Sequence, residues 1–293
     1  MKTPPFIGSG TAIITPFDEN GINFEKFGEL IDIQIENKTD ALIIAGTTGE
    51  ASTMPDEEHL ALFDYAVKRI GGRVPMIAGC GSNDTEHAVR FSIEAQKSGA
   101  DAILSVTPYY NKANKSGLYE HFKKIARSVD IPIILYNIPS RTGVNIPIET
   151  LAQLSLEKNI VGIKEASGNI SYMAQIAAEI PDICIYSGND DLTLPTLALG
   201  GLGVISVAAN ILPEVMHNIC RYFFDGDITK ARNLQIYIMP LIKALFSEVN
   251  PVPVKTAMNM LGYEVGSTRL PLGIMQNKNH KELYDTLKKY FDL

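Results

Sequence analysis

Lys164 ends the run "IVGIK" (160–164), in which Ile160, Val161 and Ile163 have the character of a buried strand. A primary amine in that setting either reaches water or serves chemistry. At its ordinary pKa of about 10.4, only about four lysine amines in ten thousand are unprotonated at neutral pH. Burial in an apolar site brings a lysine to about 7–8, where the free amine is a sizeable fraction. Such an amine condenses with carbonyl compounds, and the resulting imine withdraws electrons from a neighbouring carbanion. The plain alternative is a strand-end lysine reaching solvent.

Other residues suited to this chemistry follow similar runs. Tyr109 and Tyr110 lie in "TPYYN" (107–111), and Tyr136 opens "YNIPSRTG" (136–143). Dehydration of a carbinolamine needs a proton delivered to the leaving hydroxyl and later another removed from carbon. A tyrosine hydrogen-bonded to Thr47 can relay it; a tyrosine packed at a rim with its hydroxyl in water is the ordinary alternative. "GTTGE" (46–50) offers two hydroxyls, small residues and backbone donors in a turn that suits a carboxylate. A tight turn before a capped helix reads the same way, and the GK[ST] ending of a P-loop is missing. Arg141 is the only arginine in these segments: it either grips a carboxylate in bidentate fashion or is a surface residue. "SGNDD" (187–191) has aspartates without a histidine, so they read as caps of the next helix rather than metal ligands.

These segments need a scaffold that brings them to one place. Eight continuously apolar runs recur, at 8–17, 41–46, 74–81, 101–106, 131–137, 160–166, 183–188 and 203–210. Continuous rather than alternating character marks strands buried on both faces. The segments between them have helical period: "FEKFGELIDIQIEN" sets Phe24, Phe27, Leu30, Ile31 and Ile35 on one stripe. Eight β-then-α units predict an α/β fold, a (β/α)8 TIM barrel whose chemistry gathers where the strands end. An open doubly wound sheet is the alternative, weakened by the lack of a GxGxxG turn. The chain then divides into a catalytic barrel over 1–224 and an appended C-terminal helical domain over 225–293.

The totals narrow the partners. A formal net charge of -7 without a basic block argues against nucleic acid or an anionic membrane. No run approaches the roughly 18 apolar residues that span a bilayer, and "MKTPPFIGSG" lacks the form of a secretory signal. Cys80, Cys184 and Cys220 fit neither a disulfide framework nor a zinc site and read as core residues. The five histidines have no ligand spacing, so no metal is expected. The expectation is a soluble, cytoplasmic protein.

Taken together, "GTTGE", "TPYYN", "YNIPSRTG", "GIKEASGN" and "NPVPVK" (250–255) have an order and spacing that resemble one family over essentially the whole chain. It is the pyruvate-dependent class I aldolase family typified by dihydrodipicolinate synthase and N-acetylneuraminate lyase. The resemblance implies that Lys164 forms an imine with pyruvate and that no cofactor is used. It makes Tyr136 the proton shuttle, linked through Thr47 to a Tyr110 lent by the neighbouring subunit across a tight-dimer interface. Thr48 holds the pyruvate carboxylate; Gly188 and Ile205 line the pocket behind Lys164. Arg141 matches the arginine that binds L-aspartate 4-semialdehyde in the synthase branch, toward diaminopimelate and lysine. The lyase and sugar-acid aldolases of the same family are the alternative. A silent ligand-sensing barrel would be expected to have lost Lys164 or Tyr136.

The resemblance further implies a homotetramer, a dimer of tight dimers. Feedback-inhibited relatives bind lysine near positions matching Ala51, Ser52, Asp56, His59, Asn83, His87 and Tyr109. His87 replaces a glutamate there and Asp56 a histidine, so weak or absent lysine inhibition is expected.

Overall fold

The computed structural model describes residues 2–293. Strand β1 (Gly8–Ala12) precedes a small antiparallel hairpin, β2 (Phe17–Asp18) with β3 (Gly21–Ile22). Seven strands follow: β4 (Ala41–Ile44), β5 (Met76–Gly79), β6 (Ala102–Val106), β7 (Ile133–Asn137), β8 (Ile160–Glu165), β9 (Cys184–Ser187) and β10 (Gly203–Ser206). β1 and β4–β10 pair in parallel, and β1 joins both β4 and β10, which closes a barrel. This is the expected (β/α)8 TIM barrel.

The outer helices are α1 (Phe24–Glu36), α2 (Asp56–Ile70), α3 (Thr85–Ser98) and α4 (Lys115–Ala126). After β7 come a single turn, α5 (Pro139–Thr142), and α6 (Ile148–Leu154). α7 (Ile170–Glu179), α8 (Thr193–Ala198) and α9 (Pro213–Phe224) complete the ring. In α1, Phe27, Leu30 and Ile31 are buried, and the Asn23 side chain accepts from Lys26 N at 2.9 Å to start the helix. Three more helices follow, α10 (Ile228–Leu245), α11 (Val252–Met260) and α12 (Asn277–Leu287); α10 packs on α9 and α12. All three cysteines are free and buried.

The strands are short where the sequence breaks them. β1 stops well before residue 17, since Pro16 has no N–H to give and Phe17 turns into the hairpin. β10 stops at Ser206, and residues 208–210 form a 3-10 turn. From that turn the Asn210 side chain donates to Ala12 O at 2.8 Å and accepts from Ile14 N at 3.1 Å. The β1–β10 seam is therefore sealed by a side chain where the ladder ends.

The barrel interior is filled rather than open. Phe6 and Tyr186 stack with ring centroids 4.5 Å apart, and the Tyr186 hydroxyl donates to Phe6 O at 2.7 Å. Ile43, Ile77, Leu104, Ile134 and Ile205 belong to the same inner cluster as these two rings. Any polar side chain on this face is held in an apolar, water-poor setting. Among the described residues, no helix is long and apolar enough to cross a membrane.

Candidate active site

Lys164 lies next to the end of β8, in register with Tyr136 on β7 and Tyr186 on β9. It is 5% exposed, and its Nζ lies 4.2 Å from the centroid of the Tyr136 ring. Burial pulls its pKa down to about 7; the Asp190 carboxylate opposes the shift and the Arg141 guanidinium adds to it. A sizeable fraction of the amine is thus unprotonated at neutral pH. Its neighbour Glu165 takes the outer face, as strand alternation requires, and accepts from Asn137 Nδ2 at 2.7 Å and Ser167 N at 2.6 Å.

Behind the lysine there is no room for a side chain at 188. A Cβ on Gly188 would meet Ala166 Cβ at 2.5 Å and Lys164 Cε at 3.1 Å. Gly188 N is tied to Glu165 O at 2.7 Å. Ile205, buried on β10, belongs to the same inner cluster as Tyr136 and Ala166. Gly188 therefore stands against Lys164, and Ile205 lines the apolar interior it faces.

The "GTTGE" turn follows β4. Ala45 begins it at a positive φ of 52°, and Gly79 on β5 makes the space: a Cβ there would lie 2.2 Å from Ala45 O. Neutral His59, its pKa pulled down to about 4 by burial, donates from Nε2 to Gly79 O at 3.0 Å and fixes that approach. The Thr47 side chain and Tyr136 line the same cavity. Burial pushes the Tyr136 hydroxyl up to about 12, with the Arg141 guanidinium and the Thr47 hydroxyl opposing. Tyr136 is thus a neutral phenol at neutral pH rather than a phenolate.

Thr47, Tyr136 and Arg141 line one cavity of about 330 Å³, with Tyr109 and His87 at its other side. Thr48 is buried, and its Oγ1 accepts from Asn250 Nδ2 at 2.9 Å. Arg141, from α5, donates to the backbone oxygen of the same Asn250 at 2.9 Å. Asn250 thus bridges two groups suited to anions, and its own Oδ1 is buried without a partner. Tyr110 is the residue not brought into this site: it is 90% exposed, at a positive φ of 73°.

Two features were not legible as site elements. Asn250 heads the "NPVPVK" segment, but nothing local links it to residue 48. Asp190 does not cap α8, as expected of "SGNDD". Its Oδ2 accepts from Val207 N at 3.1 Å and Ala208 N at 3.0 Å, capping the turn after β10 instead. The reason is that β9 and β10 end side by side, so their loops meet before the helix begins. Among the described residues, no three His, Cys, Asp or Glu are grouped to hold a metal.

Residues 5–290 match the Dihydrodipicolinate synthetase family. The chain belongs to that family. Among its members, the 4-hydroxy-tetrahydrodipicolinate synthase of Caldicellulosiruptor saccharolyticus is 57% identical over 288 residues, 98% of each chain. That of Acetivibrio thermocellus is 57% identical over 291 residues, 99% of each. The crystal structure of dihydrodipicolinate synthase from Aquifex aeolicus superposes with a TM-score of 0.95 at 47% identity, covering 97% of this chain and 98% of that one. These relatives carry the synthase name rather than the lyase name.

Proposed function

We propose how this site carries out the reaction. The chain is a lyase that forms 4-hydroxy-tetrahydrodipicolinate, in the diaminopimelate route to lysine. Its substrates are pyruvate and L-aspartate 4-semialdehyde. The observation that carries the mechanism is the buried Lys164 amine, near pKa 7 and against the Tyr136 ring.

Lys164 Nζ attacks C2 of pyruvate, and the carbinolamine loses its hydroxyl as water with a proton from Tyr136. Loss of a methyl proton gives the enamine, whose electron pair is drawn toward the imine nitrogen, so this step calls for no cofactor. The enamine carbon attacks the aldehyde carbon of the semialdehyde, and the new alkoxide takes a proton. The amine of that substrate then displaces Lys164 from the imine carbon, closing the ring and freeing the enzyme.

Thr48, tied to Asn250, holds the pyruvate carboxylate, and Arg141 holds the carboxylate of the semialdehyde. Gly188, with no side chain, packs directly behind the imine, and the Ile205 carbonyl faces the incoming aldehyde. Thr47 passes protons between Tyr136 and Tyr110. The exposure of Tyr110 supports its being lent to a second subunit, in a tight dimer that pairs again into a tetramer. The biosynthetic role and the free cysteines support a cytoplasmic location.

The test is pyruvate consumption with L-aspartate 4-semialdehyde, beside N-acetylmannosamine and glyceraldehyde. Turnover with the semialdehyde alone is expected. Preference for a sugar aldehyde would leave the lysine chemistry intact and remove the role given to Arg141.

A further inference from the structure

A second lysine is buried more deeply than Lys164. Lys255, on α11, is 1% exposed. Its Nζ donates to Glu50 Oε1 at 2.8 Å, Ser267 O at 2.9 Å and Thr15 O at 3.0 Å. It also lies 4.4 Å from the centroid of the Phe17 ring. Burial pulls its pKa down while the Glu50 carboxylate pushes back. Three acceptors match the three hydrogens of an ammonium, so the pair is carried as ions.

Glu50 closes the "GTTGE" turn, buried and in left-handed backbone at φ 58°. Its second carboxylate oxygen accepts from Arg269 N at 2.9 Å. Its own N–H donates to Thr47 O at 3.1 Å, so any shift of Glu50 is passed to Thr47. Thr15, whose carbonyl receives Lys255, donates its hydroxyl to Gly49 O at 2.7 Å. Through Glu50, and through Thr15 on Gly49, this cluster is tied directly to the turn.

We propose that Lys255 is a positioning residue for the imine site, acting through Glu50. It fixes the 46–50 turn so that Thr47 meets Tyr136 and Thr48 meets the pyruvate carboxylate. This rests on the roles given above to Lys164 and Thr48. A buried ion pair is a weak source of stability, because desolvation offsets the attraction. What its directed contacts supply is one defined position for the turn. Part of the active-site geometry is thereby set from a helix that lies outside the barrel.

The test uses the full chain with Lys255→Met and Glu50→Gln combined, which leaves no unpaired buried charge. Melting temperature, the KM for each substrate and borohydride trapping of pyruvate are measured together. The expected result is a pyruvate KM raised about tenfold or more, with trapping at low pyruvate falling in step. The KM for the semialdehyde should change by less than about twofold. Lys255→Arg, which keeps the charge but misplaces the contacts, is read in the same way where the double variant does not fold. A lowered melting temperature with an unchanged pyruvate KM would make the pair merely structural and overturn the proposal. Wild-type protein that traps no pyruvate would overturn the imine reading itself, and the proposal with it.

Discussion

Lys164 and Tyr136 are register partners on adjacent parallel strands, with the lysine Nζ 4.2 Å from the centroid of the tyrosine ring. The ring covers the amine, and Tyr136 lines the same cavity as Thr47 of the loop above. In the proposed mechanism, one strand pairing thus supplies the nucleophile's environment and its proton carrier together. The apolar layer around them, from Leu104 to Ile205, makes the charged form of the lysine costly.

That cost should be measurable as stability. In the unfolded chain the lysine keeps its ordinary pKa of 10.5, while in the fold it falls to about 7. Between these values the unfolded state binds the extra proton, so stability rises with pH through that window. At pH 6 the burden is about 5 kcal/mol, falling to about 2 kcal/mol at pH 9. Lys164→Met should therefore be inactive yet more heat-resistant than the parent, with the gap widest at low pH. Thermal melts of both proteins across pH 6–9 check this; a pH-independent gap would contradict it.

Arg141 should act on one substrate only. Its guanidinium is tied to Asn250 O at 2.9 Å and lines the cavity shared with Tyr136 and Thr47. Arg141→Ala should lower kcat/KM for the semialdehyde by about 10- to 100-fold, the loss of a charge-assisted bond. Borohydride trapping of pyruvate alone should persist. Equal losses for both substrates would show a general collapse of the cavity.

Tyr110 gives a subunit-mixing test. Lys164→Met and Tyr110→Ala proteins are each expected to be nearly inactive. Mixed and reassembled, a hybrid dimer contains one site with an intact Lys164 and a partner's intact Tyr110. Activity should return on mixing, to at most one site per hybrid dimer. No recovery despite confirmed hybrid formation would return Tyr110 to its own subunit or to no role.

Much of this was legible in the sequence for one physical reason. Strands buried on both faces must be continuously apolar, so a polar residue ending such a run, as Lys164 does, stands out. Arg141 and the threonines were visible because they follow strands of a fold whose loops converge. What stayed hidden depends on contacts between distant segments. Lys255 and Glu50 are 205 positions apart, and Asn250 and Thr48 are 202 apart. Spacing reveals local capping, so Asp190 of "SGNDD" points to the next helix. Its actual partners, Val207 and Ala208, are neighbours only once the barrel closes.

The cavity also bears on inhibition by lysine. Ala51, Ser52, His59, His87 and Tyr109 all line it. The one acidic residue among those positions, Asp56, is already engaged: His87 Nε2 lies 3.0 Å from its Oδ1, and Arg90 pairs with its other oxygen. These bonds hold the Asp56 carboxyl below its usual pKa and leave little net charge for a second ammonium. Lysine should inhibit weakly or not at all. Initial rates against added lysine check this, and half-inhibition at sub-millimolar lysine would contradict it.

The central claim is that Lys164 is the imine-forming group, and it is tested most directly by reduction with borohydride in the presence of pyruvate. Peptide mass analysis should find one adduct, on Lys164, with a trapping rate at fixed pyruvate that rises with pH through about 7 as the amine deprotonates. An adduct on another lysine, or none while the native enzyme turns over, would contradict the account.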